Sequence, residues 1–308
     1  MKNNKKPLSI SVDDVKFVVD YLKKNKKPNS KVKGLLKRSR GLLKKGDEQA
    51  ANLFGILYAD ALLFNRDFKK SIELFLMGEK TGCPKMICNA GRSYMNMSFD
   101  DALSQKEQER LFDKALEYVT RAANMNHIPA IKYLARIHTD WLYYMPCKAI
   151  QDFKLDLNFE NFDEFLLVSN AAISPVSVKE KCLIGKELLE KAAELGDDDS
   201  LLKIAELYIF GELEDTKDGK NAREYLFKAA EKGSPSACQM LGQQYASEGS
   251  YIVEHDELKA FTWTLKAAEA GDDIAMFDLI QMYRDGIGVE KNSEKSLYWK
   301  NKFEALSQ

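Results

Sequence analysis

Ala192-Ala193-Glu194-Leu195-Gly196 is echoed by Ala229-Ala230-Glu231-Lys232-Gly233 and again by Ala267-Ala268-Glu269-Ala270-Gly271. The three glycines stand 37 and 38 residues apart. A fixed period of this length marks stacked repeats, each a unit that cannot bury its apolar face alone. Counting each glycine as position 1 aligns the residues that follow. Gly271 leads to Ala275, Met276, Leu279 and Tyr283; Gly233 to Ala237, Cys238, Leu241 and Tyr245; Gly196 to Ser200, Leu201, Ile204 and Tyr208. Upstream, Gly82 leads to Met86, Ile87, Ala90 and Tyr94, and Gly46 to Ala50, Ala51, Phe54 and Tyr58. Asn126 replaces glycine once, before Ala130, Ile131, Leu134 and His138. Asparagine is the next-best residue for a left-handed helix stop.

Positions 5, 6, 9, 12 and 13 share one side of a 3.6-residue helix, so that side faces the core. Position 10 is small in most units (Gly55, Gly91, Ala135, Ala205, Gly242), which lets a partner helix approach closely. That partner carries the phrase Lys-Ala-x-x-aromatic, as in Lys259-Ala260…Trp263 and Lys114-Ala115…Tyr118, with Lys295-Ser296…Trp299 and Asn221-Ala222…Tyr225 as variants. Each unit therefore reads as helix A, a loop, helix B and a stop. Only seven prolines in 308 residues agree with helix throughout.

The last unit reads Gly271-Asp272-Asp273-Ile274-Ala275, then Tyr283-Arg284-Asp285-Gly286-Ile287-Gly288-Val289, then Lys295-Ser296-Leu297-Tyr298-Trp299. It resembles a Sel1-like repeat, a relative of the tetratricopeptide repeat. The likeness is clear over 185–308 and looser over 46–138, where the Gly-x-Gly loop is missing and Leu74 or Tyr118 takes the Trp position. The resemblance implies an all-α, right-handed α-solenoid of about six helix pairs. It also implies an adaptor in protein complexes.

The expected organisation is a disordered tail over 1–8, basic capping helices over 9–45, divergent repeats over 46–138, an insertion over 139–176 and clear repeats over 177–308. In the cap, Ser11 suits an N-cap and Val15, Val18, Val19 and Leu22 form a stripe; Val32, Leu35, Leu36 and Leu42 line a second helix. The insertion is aromatic (Trp141, Phe153, Phe159, Phe162) and acidic (Asp152, Asp156, Glu160, Asp163), and a segment so long inside a compact array is often functional. It is expected to fold back over the array and cover its groove until a partner displaces it.

The formal net charge of −1 hides a basic start. Residues 1–45 carry +12 and the remainder −13. Lys33, Lys37, Arg38 and Arg40 head a patch that would suit nucleic acid or an anionic membrane, the alternative function, although few aromatics interleave for base stacking. Cys83, Cys88, Cys147, Cys182 and Cys238 do not repeat with the units, which argues against a disulfide framework and for a reducing, cytoplasmic setting. No secretory signal or membrane-spanning run is evident.

No hydrolase elbow, phosphate loop, zinc-protease motif or Cys-x-x-Cys pair is present. Enzyme chemistry, a cofactor and a metal site are therefore not expected. Gly286-Ile287-Gly288 reads as the ordinary turn between helices A and B. His138 sits where other units hold Tyr and reads as a satisfied core or groove residue, whereas His127 and His255 read as solvated loop residues.

Binding is expected on the concave face, at positions 4, 7, 8 and 11 of the A helices. The first unit offers Gln49, Asn52, Leu53 and Ile56, the second Lys85, Cys88, Asn89 and Arg92, and the last Ile274, Phe277, Asp278 and Gln281. The strongest candidates are Asn89, Arg92, Lys132, Tyr133, Arg136, Lys203, Gln243 and Gln281. Amides can pair a peptide backbone, and the basic middle suits a carboxylate-rich segment, so the expected partner is a protein or peptide, an acidic one included.

Overall fold

A computed structural model describes residues 9–139, 175–213 and 219–306. The expected tail over 1–8 and nearly all of the expected insertion over 139–176, with its groove-covering role, lie outside the described residues. All regular structure among the described residues is helical, and the chain divides into two units, Met1–Ala172 and Ile173–Gln308.

In the first unit the helices are α1 (Val12–Lys24), α2 (Ser30–Leu43), α3 (Glu48–Ala59), α4 (Phe68–Phe75), α5 (Met77–Thr81), α6 (Pro84–Ser98), α7 (Gln105–Asn124) and α8 (Ile128–Thr139). In the second they are α9 (Pro175–Glu194), α10 (Asp199–Ile209), α11 (Lys220–Glu231), α12 (Pro235–Ala246), α13 (Glu257–Glu269), α14 (Asp273–Asp285) and α15 (Ser293–Leu306). Helices α3, α6, α8, α10, α12 and α14 are the A helices of the repeat frame. Helices α4, α7, α11 and α13 each pack on their own A helix and on the next one, as α13 does between α12 and α14.

The repeated phrase is a helix stop followed at once by a start. Gly196, Gly233 and Gly271 adopt left-handed φ of 97°, 89° and 100°, and Asn126 does the same at 57°. The next residue's N–H then reaches back to the first alanine of the phrase: Asp197 to Ala192, Ser234 to Ala229 and Asp272 to Ala267, at 3.0–3.1 Å. This is the Schellman closure, which satisfies carbonyls that the helix end leaves without partners. Ala122-Ala123 precede Asn126, and His127 N–H closes on the Ala122 carbonyl, so the asparagine unit is a fourth copy. In three of the glycine units the residue after the stop also caps the next helix, Asp47 carboxylate accepting from Ala50 N–H at 2.8 Å in the Gly46 unit. Ser234 Oγ accepts from Ala237 N–H, and Asp272 carboxylate from Ala275 N–H. The alanines are small because they are buried where units stack; Ala192, Ala229, Ala267 and Ala268 are fully covered.

Position 10 is the helix crossing. A Cβ on Gly242 would stand 2.4 Å from Thr264 Oγ1, and one on Gly55 would stand 2.5 Å from the Phe75 ring. In the phrase on helix B, the alanine is the buried crossing residue (Ala115, Ala222, Ala260). The lysine before it lies over the position-13 tyrosine of its own unit. Lys114 covers Tyr94 at 5.5 Å, Lys259 covers Tyr245 at 5.4 Å and Lys295 covers Tyr283 at 5.3 Å. Lys70 over Tyr58, at 5.0 Å, extends the rule to the most divergent unit. Such cation–π contacts contribute about 0.5–1 kcal/mol each at exposed sites.

The cap forms as its sequence dictates. Ser11 and Asp14 exchange bonds in a capping box, and Val15, Val18, Val19 and Leu22 bury against Leu53, Phe54 and Leu57 of α3. Asn29 caps α2 by accepting from Val32 N–H at 2.9 Å. This packing corrects one expectation: Asn52 and Leu53 do not point into a groove but are buried. The capping helices cover the side of α3 that later A helices leave open. A second correction concerns His127, which is partly buried rather than solvated. Burial, and then the charge of Lys85, lowers its pKa.

Candidate partner-binding face

Position 7 of α3 faces position 8 of α6, and position 11 is open at Arg92, Arg136 and Gln243. The facing rests on Asn89 Nδ2 donating to Asn52 Oδ1 at 3.4 Å, across one repeat. Cys88 and Gln239, both at position 7, are accordingly buried, so the expected outward reading of Cys88 is also corrected. Burial pushes the Cys88 thiol up to about 11, with Arg92 opposing weakly, so it is an inert thiol at neutral pH.

In the first unit Arg92 is exposed and stands over the Tyr133 ring at 5.6 Å. Tyr133 also packs against the cluster of Met95, Ala115 and Ile137, so it serves the core on one side. Arg136 is exposed and Lys132 half-buried on the same helix, α8. The structure thus joins Asn89 to Asn52 and Arg92 to Tyr133. At the cap, Lys33, Lys37 and Arg40 are exposed along α2, at the i, i+4, i+7 spacing of one helix face. Arg38 departs from this stripe and donates to the Ser9 carbonyl at 2.7 Å.

In the second unit Lys203 pairs with Glu206 at 3.1 Å on α10, so these two rungs neutralise one another. Gln243 and Gln281, which the sequence places a repeat apart, meet across a cavity of about 370 Å³. Gln243 and Ala246 of α12 form one wall, and Asp278, Gln281 and Met282 of α14 form the other. Thr264 of α13 lines the cavity beside Gly242, and Ile287 closes one end. The missing Cβ of Gly242 opens the way to Thr264, since any side chain there would collide with its hydroxyl. Burial, and then the nearby Asp272, raises the pKa of the Asp278 carboxyl.

Gln243, Gln281 and Asp278 were legible as rungs, but Thr264 and Ile287 were missed. Thr264 stands where the preceding B helix has the buried Leu226, and that polar exchange was the available signal. A larger hollow of about 780 Å³ follows α7 instead, lined by Asp113, Leu116, Glu117, Thr120 and Arg121. It holds none of the expected rungs. Among the described residues no group of three or more His, Cys, Asp or Glu side chains could hold a metal ion. No helix among them is long and apolar enough to cross a membrane.

Helix pairs joined by left-handed stops, crossing at small residues and presenting polar rungs on one face, define a helical-repeat protein. The family model described as the Sel1 repeat matches residues 107–127, 180–197, 198–234, 235–272 and 274–301. The chain thus carries Sel1 repeats, with the match inside the divergent half confined to 107–127.

Two solved structures share the fold. The chain superposes on c5321, a protective antigen of uropathogenic Escherichia coli with an SLR fold, at a TM-score of 0.56 and 21% identity, covering 89% of this chain and 49% of that one. It superposes on a Sel1 repeat protein from Oxalobacter formigenes at 0.52 and 22% identity, covering 95% and 97%. Among curated proteins, the chitin synthase regulator SKT5 of Saccharomyces cerevisiae is 34% identical over 116 residues, which is 38% of this chain and 17% of that protein. The cytochrome c oxidase assembly factor 7 homolog of Drosophila melanogaster is 37% identical over 71 residues, 23% of this chain and 27% of that protein. The matches thus span under a third of the length of either curated relative.

Proposed function

We propose that the protein is a non-catalytic scaffold that holds a protein or peptide partner against positions 8 and 11 of its A helices. The observation that carries this reading is the meeting of Gln243, Asp278 and Gln281 in one cavity between successive A helices. Amides that both donate and accept can pair an extended backbone, while the cavity takes a side chain. The exposed Arg92 and Arg136 extend the same rungs in the first unit, where they suit carboxylates. The family's repeats act generally in protein–protein interaction. The two curated relatives are named as a regulator and as an assembly factor, roles that fit a scaffold. Cys83, Cys88 and Cys238 are thiols, which suits the cytoplasm as the working compartment.

The test is affinity capture with the full chain, its partner identified, beside the double variant Arg92→Glu/Arg136→Glu. Both arginines are exposed, so the fold is expected to survive the change. The expected result is loss of a specific partner by the variant. A partner held equally by both proteins, and also by a Gln243→Lys/Gln281→Lys variant, would contradict the reading.

A further inference from the structure

The cavity between α12 and α14 contains a carboxylate with nothing to neutralise it. Asp278 is half-buried and makes no hydrogen bond or ion pair among the described residues. No lysine or arginine lines the cavity. Gln243 and Gln281 stand on either side, and neither side-chain amide has a partner among the described residues. A carboxylate held partly away from water without a counter-ion costs stability, and its raised pKa is the electrostatic trace of that cost.

The walls differ from this polar set. Met282 is buried beneath the cavity, Ala246 forms part of one side, and Ile287 is 37% exposed at its end. An apolar lip leading to a carboxylate and two amide carbonyls matches a long side chain with an aliphatic stem and a cationic head. The volume of about 370 Å³ lies near the lower end of ligand cavities, and suits one inserted side chain rather than a large cofactor. An anion would meet Asp278 and the nearby Asp272 and be repelled. A metal ion would find one carboxylate and no second acidic, histidine or cysteine ligand in the lining.

We propose that this cavity receives an arginine side chain presented by an extended segment of a protein partner, with Asp278 as its counter-ion and the Gln243 and Gln281 carbonyls taking its remaining donors. Arginine fits better than lysine because its planar fork offers five donors to acceptors on two walls. Gly242 is part of the site, because a Cβ there would close the approach to Thr264. The inference deepens the scaffold reading and rests on it: it names the chemistry that one rung of the second unit recognises.

The probe is a capped seven-residue peptide, Ala-Gly-Ser-Arg-Ser-Gly-Ala, titrated into the full-length protein with the Met282 and Ile287 methyl groups followed by NMR. Parallel arms use the same peptide with citrulline or glutamate in place of arginine, and free arginine amide. The expected result is a shift of both methyls with the arginine peptide, and an affinity about 10- to 100-fold weaker with citrulline, since a hydrogen bond between charged groups is lost. Asp278→Asn is expected to weaken the arginine peptide by a similar factor, and Gln281→Ala by a smaller one. Neither variant removes an internal bond, and thermal unfolding checks that both fold. Unmoved methyls at millimolar peptide, equal binding of the citrulline or glutamate peptide, or an unchanged affinity in Asp278→Asn would each overturn the assignment. Free arginine amide binding as tightly as the peptide would overturn the partner segment as the source of the side chain. If capture through Arg92 and Arg136 succeeds while Asp278→Asn binds the peptide unchanged, the cavity's role falls and the scaffold reading stands.

Discussion

Asp278 titrates above its usual value because burial penalises its charge, with Asp272 adding to the effect. The folded protein therefore holds that proton more readily than the unfolded chain, whose carboxyl titrates near 3.8. Stability on this account is highest below that value and falls as pH rises through the raised folded pKa. Asp278→Asn removes the titration, so its melting temperature should lose this decline and lie at or above that of the parent at neutral pH. Melting curves from pH 3 to pH 8 check it; curves that stay parallel would contradict the buried-charge account. A residue that weakens the fold it sits in, inside a cavity, suggests a role in binding rather than packing. That property was not legible in the sequence. Asp278 looked like any rung, because its lack of a counter-ion depends on which side chains α12 and α13 bring to it.

At the scale of elements, the glycines separate three physical demands. Gly242 needs space, since an added Cβ would stand 2.4 Å from Thr264 Oγ1. Gly288 needs both space and a left-handed backbone: φ is +65° and a Cβ would lie 1.9 Å from the Glu257 carbonyl oxygen. Gly34 in α2 needs neither, having ordinary helical backbone and nothing within 4 Å. Replacement by alanine is therefore expected to destabilise at position 242 by about 1–3 kcal/mol. The loss should be larger at 288, where strain and collision combine. At position 34 the change should stabilise by about 0.5–1 kcal/mol. Denaturant melts of the three variants check the order, and a stable Gly288→Ala protein would contradict the loop packing. The stop glycines, small crossing residues and capping box were all readable because each is fixed within one unit. The facing of positions 7 and 8 was not, because it depends on the rotation between neighbouring units. A projection at 100° per residue cannot supply that rotation. Asn52 and Cys88 were misplaced for this reason, and Leu53 because the cap covers it.

For the molecule as a whole, one local grammar built both units: Ala-Ala, a left-handed stop, a cap, a small crossing residue and a lysine over a tyrosine. The grammar tolerates exchanges that keep the physics, as Asn126 does for glycine and Lys70-Ser71 for Lys-Ala. This is why the fold was legible even where the family match is confined to 107–127. The partner was not legible, because rungs of this kind acquire meaning from neighbours one repeat away. The central claim is that the A-helix rungs, rather than the B helices, carry the partner. The most direct test places a photo-crosslinking benzoylphenylalanine at Gln243 or Gln281 on the A helices, and at the exposed Glu224 or Thr262 on the B helices, and reads covalent adducts with the captured partner. Adducts from 243 and 281 but not from 224 and 262 are expected; adducts from the B-helix positions alone would contradict the account.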